Sequence, residues 1–112
     1  MKSSRISYGC PVEFALDMLG GKWKTVILAR LKQGPMRYGE LRKAIPDLSE
    51  KMLTERLHAM CDAGLIEARQ AKGGGRCYVI TETGASLGPV LQALYDWGLA
   101  RTEAEGDRVR QI

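Results

Sequence analysis

The tightest constraint on this chain is one very short turn. Tyr38 begins a short helical stretch with Leu41 and Ile45 on its apolar side, and Pro46 ends it. Ser49 then suits the N-cap of a new helix, with Glu50 in its first turn and Gly64 to close it. Only Pro46, Asp47 and Leu48 separate the two. Helices joined this closely read as a helix-turn-helix.

The flanking segments extend the pattern. Upstream, Pro11 fits the first position of a helix, with Cys10 at its N-cap and Glu13 in its first turn. Val12, Ala15, Leu16 and Leu19 give that helix one apolar face, and Gly20-Gly21 stops it. A second helix spans about Lys22 to Lys32, with Trp23, Val26, Ile27 and Leu31 as its stripe, and ends at Gly34-Pro35. Met36-Arg37 is too short to assign from its own residues.

After Gly64 the period changes. Leu65 to Ala71 and Arg76 to Ile80 read as two strands around Lys72-Gly73-Gly74-Gly75, a hairpin. Thr81 caps a further helical stretch, broken or bent near Gly88-Pro89, whose stripe is Leu87, Val90, Leu91, Leu94 and Trp97. The expected fold is therefore mainly α with a small β-hairpin, a winged helix-turn-helix. Residues 1–9 form an arm, 10–100 the domain, and 101–112 a charged, frayed tail. At 112 residues this is one domain with a small core, and a dimer interface is a natural place to bury more apolar surface.

In the Ser49-capped helix, Leu53, Leu57 and Met60 share one side, while Lys51, Glu55, His58 and Asp62 lie opposite and Thr54 flanks them. A recognition helix offers its N-terminal half to base edges, which singles out Lys51, Thr54 and Glu55. Lys51 can donate to guanine and Glu55 can accept from cytosine N4. Ser49 and the helix N-terminus suit a phosphate. Lys72 and Arg76 flank the glycine triplet, where two cations on flexible backbone reach phosphates or a minor groove. Arg37, with Arg42 and Lys43, adds candidate backbone contacts. The plain alternative is that these polar residues only solvate an exposed helix.

Charge is compatible with double-stranded DNA as partner: 17 Lys and Arg face 13 acids, a formal +4, which serves nucleic acid only if gathered on one face. The glycine triplet is not a nucleotide-phosphate loop, because a strand follows it and the Lys-Ser/Thr pair is missing. His58 is the only histidine, so no metal site or catalytic dyad is expected, and neither an enzyme nor a cofactor. No apolar run approaches the roughly 20 residues of a membrane span, and the N-terminus lacks the apolar core of a signal, so a cytoplasmic protein is expected. Cys10, Cys61 and Cys77 are too widely spaced for a zinc ribbon and are expected as free thiols.

Cys10-Pro11-Val12-Glu13 with Gly20-Gly21-Lys22-Trp23-Lys24 resembles the opening of the HxlR-type bacterial regulators. Arg37-Tyr38-Gly39-Glu40-Leu41-Arg42, Ser49-Glu50-Lys51-Met52-Leu53-Thr54 and Trp97-Gly98 extend the resemblance over about residues 10–98. It implies a homodimer built by the N- and C-terminal helices, binding dyad-symmetric operators. It also implies that Cys10 senses electrophiles or oxidants, as the cysteine before the proline does in several members. The wing departs from the family pattern: Gly73-Gly74-Gly75-Arg76-Cys77-Tyr78 stands where a Pro-Pro element and a Val-Glu-Tyr run are usual.

The expected function is a DNA-binding regulator, a repressor, in which Leu87, Val90, Leu91, Leu94 and Trp97 serve the dimer. Three alternatives stay open: a winged helix used only for protein interaction, a switch by a small-molecule inducer in the dimer interface, and Cys10 as an inert cap. Trp97 packing back on Trp23 or Leu16 is the monomeric alternative for the C-terminal stripe.

Overall fold

The computed structural model describes residues 9–20 and 23–105. The N-terminal arm apart from Gly9, the helix-stopping Gly21, Lys22 and the end of the charged tail lie outside the described residues. The order is α1 (Pro11–Leu19), α2 (Lys24–Leu31), β1 (Met36–Arg37), α3 (Tyr38–Ala44), α4 (Glu50–Asp62), β2 (Ile66–Gln70), β3 (Arg76–Ile80), α5 (Glu82–Ala85) and α6 (Gly88–Glu105). This is the winged helix-turn-helix that the spacing of helices and hairpin implies.

The core forms where α2, α3, α4 and the base of the hairpin converge. Ile27, Leu28 and Leu31 of α2 meet Leu41 of α3, Leu48 of the turn and Leu53, Leu57 and Met60 of α4, all at 1% exposure or less. Leu28, absent from the expected α2 stripe, is fully enclosed, whereas Val26 is only half-buried. A helix covered on more than one side has no single stripe, so periodicity misplaces its centre.

The helix boundaries follow local chemistry. Ser49 Oγ accepts the Met52 N–H at 3.1 Å and starts α4. At its other end Gly64, at φ +77°, lets its own N–H reach the Cys61 carbonyl and the Leu65 N–H reach that of Met60, each at 3.0 Å. That paired closure turns the chain straight into β2. Thr81 caps α5 through the Gly84 N–H at 3.0 Å and donates its hydroxyl to the Gly64 carbonyl at 2.6 Å.

Two features differ from the sequence expectation. First, Met36 and Arg37 form a third strand, so the sheet order is β1-β3-β2, antiparallel throughout, with Met36 opposite Tyr78 and Arg37 opposite Cys77. A two-residue strand has no period of its own and exists only through a partner far along the chain. Second, the charged segment after Arg101 is not frayed at its start. Helix α6 continues to Glu105, where the carboxylate meets Arg101 at 2.7 Å one turn away. Among the described residues no helix is long and apolar enough to cross a membrane.

Candidate nucleic-acid interface

Burial of Leu53, Leu57 and Met60 fixes the rotation of α4 and leaves Lys51, Glu55, His58 and Asp62 on its exposed side. Thr54 is exposed on the flank, as its position along the helix requires. Its hydroxyl lies 3.2 Å from Tyr38 Oη, which also stands 3.2 Å from the Glu50 carbonyl. Tyr38 has one proton. With that proton on the Glu50 carbonyl, Thr54 donates to Tyr38 and keeps its oxygen lone pairs as acceptors.

Tyr38 was not among the residues singled out from the sequence, and neither was the part played by Arg42. The Arg42 guanidinium donates to the Leu48 carbonyl and braces the turn between α3 and α4. Together these two side chains set the position of α4 against α3. The only signal available beforehand was their place beside the turn.

The wing begins and ends at Ala71 and Gly75. The Ala71 N–H donates to the Gly75 carbonyl at 2.9 Å and the Gly74 N–H to the Ala71 carbonyl at 3.0 Å. Gly73, Gly74 and Gly75 stand at φ +87°, +100° and +79°, a run that side-chain-bearing residues rarely adopt. Lys72 and Arg76 are exposed on either side of it. The structure gives Arg37 partners that the sequence did not suggest. Its guanidinium donates from Nη1 to the Gly74 carbonyl at 2.7 Å and from Nη2 to the Lys72 carbonyl at 2.6 Å.

A groove of about 450 Å³ separates the second half of α4 from the sheet, with Leu57, Cys61, Ile66 and Ala68 along it. Its polar lining mixes Arg76 and His58 with Asp62 and Glu67, so it offers no single-sign pocket for an anion. Cys61 is half-buried here, and burial, followed by the neighbouring Asp62 charge, pushes its thiol pKa up. Cys77 is half-buried on β3. Cys10 is exposed at the N-cap of α1, and its side chain makes no capping bond.

The C-terminal stripe divides. Leu87 and Leu91 pack against the core, while Val90, Leu94 and Trp97 face outward. Trp97 is 69% exposed and Leu16 60%, so packing within one chain leaves most of both side chains uncovered. The Arg101 guanidinium lies 5.9 Å from the Trp97 ring centre.

The family model for the HxlR-like helix-turn-helix matches residues 18–106. The HTH-type transcriptional regulator YdeP of Bacillus subtilis is 40% identical over 106 residues, spanning 93% of this chain and 80% of that protein. Among solved structures, the redox regulator HypR in its oxidised form superposes with a TM-score of 0.75 at 30% identity, covering 92% of this chain and 100% of HypR. Quinone-bound YodB from B. subtilis superposes with a TM-score of 0.71 at 34% identity, covering 80% of this chain and 97% of YodB. With a helix-turn-helix, a basic wing and these likenesses over most of its length, the chain belongs to the HxlR-like helix-turn-helix family of transcription regulators.

Proposed function

We propose that the chain is a cytoplasmic repressor that binds a dyad-symmetric operator as a homodimer. One observation carries the dimer. All seven large apolar side chains exposed among the described residues, Val12, Phe14, Leu16, Val90, Leu94, Tyr95 and Trp97, belong to α1 and α6. Apolar surface gathered on two helices and spared elsewhere is the mark of an interface. A two-fold axis through it sets two α4 helices about 34 Å apart, one turn of DNA.

On each half-site, Lys51, Thr54 and Glu55 read base edges. Ser49 at the start of α4 and Lys72 and Arg76 on the wing hold phosphates. Exposure of every one of these side chains supports the assignment.

Cys10 is the switch. Its thiolate adds to a quinone ring carbon, and the ring takes up the proton. With diamide, the Cys10 thiol and a second cysteine thiol, for which Cys77 is the candidate, lose two electrons and two protons to the azo group and join as a disulfide across the dimer. Either product sits at the start of α1, in the interface, and shifts the spacing of the recognition helices. The exposure of Cys10 supports this, as does the likeness to an oxidised HypR and a quinone-bound YodB.

The test is gel-shift titration on DNA flanking the gene, with wild type and Cys10→Ser, before and after diamide or quinone. Wild type shifts a fragment and loses it on treatment, while Cys10→Ser binds and ignores the treatment. Absence of any shift at low salt removes the DNA reading, and equal responses of the two proteins remove the switch.

A further inference from the structure

We propose that Arg37 acts on DNA affinity through the wing, as a pin that holds the glycine tip in its binding shape rather than as a phosphate contact. The inference rests on the wing reading given above. A tip with three successive glycines has more unfolded freedom than any other five-residue stretch of the chain, and ordering it on DNA costs binding energy. Arg37 removes that cost beforehand.

Its own anchorage makes this effective. The backbone of Arg37 is paired with Cys77 in the sheet, and its N–H donates to Glu40 Oε1 at 2.7 Å. The guanidinium therefore starts from a fixed base and spans the tip, from the Lys72 carbonyl to that of Gly74. A Cβ on Gly75 would stand 3.1 Å from Nη1, so the arginine lies directly against the glycine backbone. Two carbonyls bound by one planar fork define an orientation as well as a distance, which a lysine ammonium does not reproduce. Lys72 and Arg76, flanking the pinned segment, are thereby aimed together.

Arg37→Lys and Arg37→Ala separate pin from charge. In the free proteins, amide hydrogen exchange at Ala71 and Gly74, the two N–H groups bonded within the tip, reads its order directly. Both variants should lose protection there while keeping that of α4, and both should bind an operator duplex roughly tenfold more weakly than wild type. Unchanged protection at Ala71 and Gly74 overturns the pin whether or not the protein binds DNA. Lost protection with unaltered affinity overturns its role in binding, and wild-type affinity in Arg37→Lys alone assigns Arg37 as a simple phosphate charge. Failure of wild type to bind any duplex is a separate outcome that strikes the repressor reading, while the exchange data still judge the pin.

Discussion

Replacing Trp97 by alanine tests the α1–α6 interface at its most exposed point. A tryptophan side chain presents up to about 250 Å², and at 69% exposure about 170 Å² remains to be covered. Complete burial of that area at ~25 cal/mol/Å² amounts to about 4 kcal/mol. Alanine retains a methyl group and coverage in an interface is partial, which halves the loss to about 2 kcal/mol per copy. A two-fold interface contains the residue twice, so the dimer weakens by about 4 kcal/mol, roughly a thousandfold in its dissociation constant. Since Trp97 is exposed and not one of the buried core residues, far-UV circular dichroism of the separated variant should remain that of wild type. Sedimentation equilibrium over a wide concentration range measures the constant. A change below about threefold, or a wild type that sediments at the single-chain mass of 12.4 kDa, would refute the reasoning.

Further outcomes follow from named contacts. Lys51→Ala should lose about 1–3 kcal/mol of operator affinity but little on random DNA, whereas Arg76→Ala should weaken both and lower the salt slope by about one; identical profiles for the two would dissolve the division between base and phosphate contacts. Gly84→Ala should destabilise by about 3 kcal/mol in urea unfolding, because its Cβ would stand 2.1 Å from the Leu65 carbonyl oxygen and 2.9 Å from Ile80 Cγ1. Gly39→Ala, in the first turn of α3 with nothing within 4 Å, should instead stabilise by about 0.4–1 kcal/mol by restricting the unfolded chain, and the two substitutions having the same sign would contradict the packing. Near neutral pH a limiting maleimide should label exposed Cys10 before Cys61, whose raised pKa keeps its thiol protonated, while the rates converge after unfolding; peptide mass spectrometry showing Cys61 labelled as fast in the folded protein would disprove its burial.

The sequence by itself determined the parts that depend on neighbours along the chain. Ser49, Gly64 and Thr81 act on amides and carbonyls a few residues away, so their caps, both ends of α4 and the start of α5 were legible from residue type and spacing. The exposed side of α4 followed from the period of its buried leucines for the same reason. Tertiary structure decided whatever depends on distant partners. Strand β1 exists because β3, some forty residues later, offers it a free edge, and Arg37 turns to the wing because that pairing brings Gly74 within reach. Tyr38 joins Thr54 only once the turn has folded α3 against α4. The C-terminal stripe looked uniform in sequence, yet packing divided it. Leu87 and Leu91 sit against the core, while Val90, Leu94 and Trp97 stay outside, since one helix of this small domain cannot turn every apolar side chain inward at once.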